Sequence, residues 1–294
     1  MNEPIALCNA LIIGLTCLVS WLGFKSRAFE AKYIFEPEAI LAWKEYYRLL
    51  TSGFLHAGWW HLLVNMLSLY LIGRYVEFSF GAGHFLLIYF GAIIGGNVLS
   101  LYIHRHHEYH AYGASGGVCG VIFAYILLFP GADIYTFPLQ FPIPGWLFAI
   151  GFILASFIGM KSSNKGNIGH DAHLGGAIVG LLVAAALHPG MARANWKIFL
   201  LMLTAAVVLL AYLWINPMFL PSSSFFGHVS KKISRSEKIP THKREILEID
   251  AILEKISKNG MDSLSAEEKT LLANASAKSQ RRAQSKKPES GLAI

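Results

Sequence analysis

An all-α polytopic membrane protein with a small polar tail is the fold class this sequence predicts, on three observations. The chain is 54% hydrophobic and only 15% charged, with a mean hydropathy of +0.45, whereas soluble domains carry roughly 25% charged residues. Several apolar runs approach the roughly 20 residues that a helix needs to cross a bilayer. The charge is also lopsided. Residues 1–215 hold 11 Lys+Arg against 9 Asp+Glu and residues 216–294 hold 14 against 9, so most of the net charge of +7 sits in the tail. A basic tail suits anionic lipid head groups. The basic runs of the tail are not interleaved with aromatics, which makes nucleic acid the weaker reading. Cys8, Cys17 and Cys119 lie in apolar segments without a CxxC pair, which argues against a disulfide framework or a zinc site.

Taken in order, Ile5–Phe24 is an uncharged stretch that reads as span one. It lacks the flanks of a removable signal peptide. From Lys25 to Gly53, basic residues mix with rings such as Tyr33, Trp43 and Tyr47, the pattern of a loop lying in the membrane interface. Span two is expected over about 54–75, carrying His56, His61 and Asn65. Span three is expected over about 85–103. The stretch His104 to His110 holds four imidazoles. Their spacing matches no zinc signature, so it reads as a solvated loop. Span four starts at Ser115 and ends before Pro130, and Pro138, Pro142 and Pro144 mark an irregular connection. Span five covers about 145–160, and a loop over 161–167 leads to span six, about 168–187. There Gly176 and Gly180 form a GxxxG step for close helix packing. Span seven, 198–215, carries no charged side chain. The tail shows isoleucines at helical spacing from Ile246 to Ile256 and a capping box at Ser265–Glu268. Beyond Ala277 its composition is that of a disordered segment. The expected domains are therefore 1–190, an accessory span within 191–220, and a tail over 221–294 with a helical hairpin at about 241–277.

Polar side chains inside apolar spans are costly and usually functional. Ser115 follows the small-residue string Gly113-Ala114 and opens a helix. There the free amides and the helix dipole favour negative charge, a good place to hold an oxyanion. Gly113 and Gly116 let a substrate backbone approach. His173, on a later span, is the candidate base, preferred over His170 because Gly176 opens room on its face. Asp171 lies two residues before His173, on a different side of the helix, so a serine–histidine pair without a third member is expected. His61 and Asn65 lie four residues apart on one helix face and carry N–H donors suited to an oxyanion hole. The spans carry too few charges for a transporter path.

The chain resembles the rhomboid intramembrane serine proteases. Gly113-Ala114-Ser115-Gly116 matches the GxSG nucleophile motif. Ala172-His173-Leu174-Gly175-Gly176 matches AHxxG, His56, His61 and Asn65 match HxxxxHxxxN, and Tyr47-Arg48 resembles the aromatic-Arg pair of the first loop. The resemblance implies a rhomboid-like six-helix bundle plus a seventh transmembrane helix and a small helical tail. It implies Ser115 as nucleophile, His173 as base, and His61, Asn65, Gly113 and His56 around the oxyanion and substrate. No cofactor and no metal are implied. The implied partners are transmembrane protein substrates and the lipid bilayer, and the implied location is a bacterial inner membrane. The active site would open to the extracytoplasmic side, an orientation that the Lys/Arg distribution does not favour. Cys119 stands where many members have an aromatic on the catalytic ring, so another group must hold His173. A non-catalytic rhomboid-like protein that binds transmembrane clients is the alternative. Such proteins usually lack the serine or the histidine, and both are present here.

Overall fold

The computed structural model describes residues 6–106, 109–136, 141–162 and 169–215, and residues 256, 260, 263–265 and 268–272 of the tail. It separates into two units, Met1–Ser223 and Ser224–Ile294. Most of the expected tail hairpin lies outside the described residues. At its described point the Ser265 amide donates to the Glu268 carboxylate at 2.7 Å and the Glu268 amide donates to Ser265 Oγ at 3.2 Å, a reciprocal capping box.

The membrane unit is built almost entirely of helices. Three of them, α1 (Leu7–Lys25), α7 (Ala82–His104) and α10 (His170–Leu187), are long and apolar enough to cross a bilayer unaided. α8 (Ser115–Leu128), α9 (Gly145–Ser162) and α12 (Trp196–Ile215) are also apolar. The first loop is more than a plain connector. It forms the short helices α2 (Arg27–Tyr33), α3 (Pro37–Ala42) and α4 (Arg48–Thr51). Arg48, 4% exposed, ties them together by donating to the Ala31 and Ile34 carbonyls at 2.8 Å each and to Glu45 at 2.5 Å.

α1 is an inside-out helix. Leu7, Leu11, Leu15 and Leu18 face outward, while Asn9, Thr16 and Ser20 are buried. In lipid an outward leucine costs nothing, whereas a polar group needs a protein partner. Asn9 finds one by donating to the Leu69 carbonyl at 2.8 Å. The free amides at the start of α1 are met by Glu77, which accepts from Cys8 N at 2.9 Å and Asn9 N at 2.7 Å. A carboxylate there also suits the helix dipole. Glu77→Ala orphans both amides, at about 1–3 kcal/mol each. A lowered thermal midpoint, milder in Glu77→Gln, is the expected result of calorimetry.

The second crossing starts later than expected. Gly58 precedes α5 (Trp59–Ser68), which passes through a π turn at Leu69–Gly73 into α6 (Arg74–Phe80). The π turn falls where Asn9 engages Leu69, and a Cβ on Gly73 would lie 2.4 Å from the Asn9 amide. The expected irregular connection after α8 is a two-stranded antiparallel ribbon, β1 (Asp133–Thr136) with β2 (Phe141–Pro144), in which Tyr135 faces Pro142. The short α11 (Pro189–Ala194) links α10 to α12.

α8 is the central helix, with twelve of its fourteen residues buried. A helix that is hydrophobic all round must be enclosed, and α7 and α10 enclose it. They approach through bare backbone. A Cβ on Gly176 would lie 2.2 Å from the Gly116 carbonyl oxygen, and one on Gly180 would lie 2.3 Å from the Gly120 Cα. Fourteen residues of helix span only about 21 Å at the usual rise, short of the ~30 Å hydrocarbon layer.

Candidate active site

This close packing brings together the starts of α8 and α10. Ser115 is the first residue of α8 and His173 stands in the first turn of α10. His173 Nε2 lies 2.7 Å from Ser115 Oγ. The His173 amide bonds back to the Gly169 carbonyl at 3.0 Å, which fixes the imidazole at a definite height on its helix. The first amides of α8 have no partner within the helix, so the Ser115 N–H is a donor beside its own hydroxyl.

The sequence left open what holds the His173 ring. The answer is Phe152 of α9, whose ring centroid lies 6.2 Å from that of His173. Phe152 also packs against Phe123 of α8 at 5.6 Å. His170 meets His173 edge-on at 5.9 Å. Phe152 follows no spacing rule relative to either motif, so nothing in the sequence pointed to it.

The segment leading to Ser115 is held on one side by the first loop and α1. The Phe35 and Ala111 backbones exchange bonds at 3.1 and 3.2 Å. Gly113 N donates to the Ser52 carbonyl at 3.1 Å. Ala114 N donates to His56 Nε2 at 3.4 Å. With that nitrogen accepting, His56 Nδ1 is the donor toward Ser20 Oγ at 2.9 Å, and Ser20 donates on to the Phe54 carbonyl.

His56 therefore differs from its expected place. It lies before α5 and not on it, and both ring nitrogens are spent on the scaffold. His61 does line the cavity beside Ser115, whose volume is about 340 Å³. Its ring sits against Gly113, where a Cβ would come within 2.8 Å, and Gly113 has φ +129°, a region that excludes side chains. Asn65 is buried on the next turn. One of its amide hydrogens goes to the His61 carbonyl at 2.9 Å, which leaves one N–H, and Asn65 is not among the residues that line the cavity.

Asp171 is engaged by His104 and Tyr109. The histidine-rich stretch departs from the solvated loop expected of it at its first residue. His104 is buried, its Nε2 lies 3.1 Å from Asp171 Oδ2, and its ring stacks on Tyr109 at 3.6 Å. His107 lies outside the described residues. Among the described residues, no three His, Cys, Asp or Glu side chains gather as a metal site.

A serine oxygen in contact with an imidazole nitrogen, at a helix start and next to a cavity with a second imidazole, is equipped for acyl transfer. Comparison with known proteins finds that residues 43–190 match the rhomboid domain and that residues 241–278 match a family of unknown function. The rhomboid protease GluP of Bacillus subtilis is 36% identical over 184 residues, 63% of this chain and 33% of that protein. The putative rhomboid protease YdcA of the same organism is 34% identical over 142 residues, 48% of this chain and 66% of that protein. The mitochondrial rhomboid protein 1 of Saccharomyces cerevisiae is 32% identical over 140 residues, 46% of this chain and 40% of that protein. The chain thus spans less than half the length of the yeast relative, and a third of GluP.

Proposed function

Because this chain belongs to the rhomboid family, we propose that it is an intramembrane serine endopeptidase that cleaves peptide bonds in or near transmembrane segments through a Ser115–His173 dyad. The observation that carries the reading is the 2.7 Å contact between Ser115 Oγ and His173 Nε2. It is supported by the family match and by the resemblance to the bacterial rhomboid proteases. The proposed setting is a bacterial inner membrane, with 1–190 as catalytic core, 191–220 as accessory span and 221–294 as appended tail.

In this reading Ser115 Oγ attacks the scissile carbonyl carbon and its proton passes to His173 Nε2. The negative charge that develops on the carbonyl oxygen meets the Ser115 amide, the His61 ring N–H and the remaining Asn65 N–H. When the C–N bond breaks, His173 returns the proton to the leaving amine. A water molecule then gives a proton to His173 and attacks the acyl carbonyl, and His173 passes that proton to Ser115 Oγ as the C–Oγ bond breaks, which releases the carboxylic acid and restores the serine. This reading takes α8, shorter than the bilayer, to have its Ser115 end sunk below the surface. The cavity, walled in part by Ser52 and Asn97, admits the water that hydrolysis consumes. Gly113 presents bare backbone to His61, and His56 positions the nucleophile loop through Ala114.

His61→Ala removes one oxyanion donor, so kcat is expected to fall about 10²–10³-fold with KM little changed. Steady-state kinetics on a cleaved membrane substrate checks this. The proposal as a whole is tested by mass spectrometry of fragments shed from membranes holding the protein or its Ser115→Ala variant. Fragments with new termini near a transmembrane segment are expected only with the unaltered protein. Identical fragment sets would overturn the reading.

A further inference from the structure

Asp171 is a carboxylate that this mechanism does not use. It is 4% exposed and sits in the first turn of the helix that carries His173, two residues before it. A buried charge on an apolar helix is expensive unless paired, and here several groups compensate it, Ser100 of α7 among them. His104 Nε2, at the end of α7, lies 3.1 Å from Oδ2. The Tyr109 hydroxyl donates to Oδ1 at 3.5 Å. The α10 dipole adds favourable potential at its first turn. Tyr109 is itself clamped, its ring stacked on His104 at 3.6 Å and edge-on to Phe35 at 6.1 Å. Its phenol is pushed well above the usual value by burial and then by the Asp171 charge, so it stays protonated and remains a donor.

Six residues after Tyr109 comes Ser115. The other attachments of the connecting segment, at His110, Ala111, Gly113 and Ala114, lead to the first loop and to α1 through His56. The Tyr109 ring touches the first loop and α7, and its hydroxyl leads to α10. Gly169, the residue that caps α10, closes the same corner, since a Cβ there would lie 3.3 Å from the Tyr109 hydroxyl.

We infer that Asp171, with His104 and Tyr109, is a positioning residue that sets the nucleophile segment 109–114 in register with the helix bearing His173. The inference rests on the proteolytic reading of Ser115 and His173. It adds a carboxylate that acts through the backbone of the nucleophile loop and not through the imidazole. The sequence signal is slight, because Asp171 and His104 lie far apart in the chain and neither belongs to a motif read above.

The test uses the full chain in proteoliposomes, with Asp171→Leu, Asp171→Asn and Tyr109→Phe. Three readouts are taken: hydrogen exchange of segment 109–114, the rate at which a fluorophosphonate labels Ser115, and kcat and KM on a cleaved substrate. In Asp171→Leu, exchange in the segment is expected to speed up, with labelling and kcat falling roughly ten- to a hundredfold and KM within about twofold. Asp171→Asn keeps an acceptor for the Tyr109 hydroxyl and should recover much of the loss. Tyr109→Phe keeps the stacked ring and should lose less than Asp171→Leu. Unchanged exchange in Asp171→Leu would overturn the inference whatever the activity. So would a loss of labelling that Asp171→Asn shares in full, since that marks a structural charge and not a register contact. Faster exchange in a protein whose unaltered form never reacts with the probe would overturn the proteolytic reading and leave the register role standing.

Discussion

Replacing Ser115 or His173 with alanine is expected to lower kcat by at least about a thousandfold, and the double variant is expected to lose no more than the worse single one. Groups that act as one unit show this non-additivity. Removal of the serine leaves nothing to form the acyl-enzyme. Removal of the imidazole leaves a hydroxyl at its ordinary reactivity, far too weak a nucleophile near neutral pH. Neither change should unfold the protein, because α8 and α10 are held by their glycine faces and not by the dyad. Helix content and thermal midpoint measured beside the kinetics check that point. Additive losses in the double variant would mean that the two residues work separately.

Gly176→Leu is expected to remove stability and reactivity together. Its Cβ would fall 2.2 Å from the Gly116 carbonyl oxygen and 2.8 Å from the Gly116 Cα. Backbone cannot yield as a flexible side chain can, so α8 and α10 must part. Overpacking of this kind costs up to about 3 kcal/mol and sometimes more. Gly116 adjoins Ser115, and Gly176 lies one turn beyond His173, so the same separation pulls the hydroxyl from the imidazole. Gly14→Ala is the control. A Cβ there meets nothing within 4 Å, and alanine is the better helix former by about 1 kcal/mol, so neither melting nor activity should fall. A Gly176→Leu protein that melts and reacts like the original would show that the helix contact is not what sets the site.

Much of the fold was legible because lipid imposes a simple rule. Uncharged runs of sufficient length become helices, as Leu7–Lys25, Ala82–His104 and His170–Leu187 show. The meeting of Ser115 with His173 was legible because each sits in a short motif at a helix start. What escaped notice depends on contacts between distant residues. The π turn at Leu69–Gly73 forms where Asn9, about sixty residues earlier, donates to a backbone carbonyl. The ribbon β1–β2 was hidden by Pro142 and Pro144, which an open edge strand tolerates because one side of it needs no donors. His56 was assigned to span two because the apolar run begins before it, whereas the helix starts only at Trp59. Phe152 and His104 gave no local signal. One is a phenylalanine among many, and the other sits in a stretch whose histidines suggested solvent.

The proposed chemistry depends above all on His173 activating Ser115. Reaction of the protein in lipid with a fluorophosphonate probe, followed by peptide mapping, measures it. One adduct is predicted, on Ser115, formed at least about a hundredfold faster than in a folded His173→Ala variant. An adduct that forms equally fast in both proteins, or none in either, would contradict it.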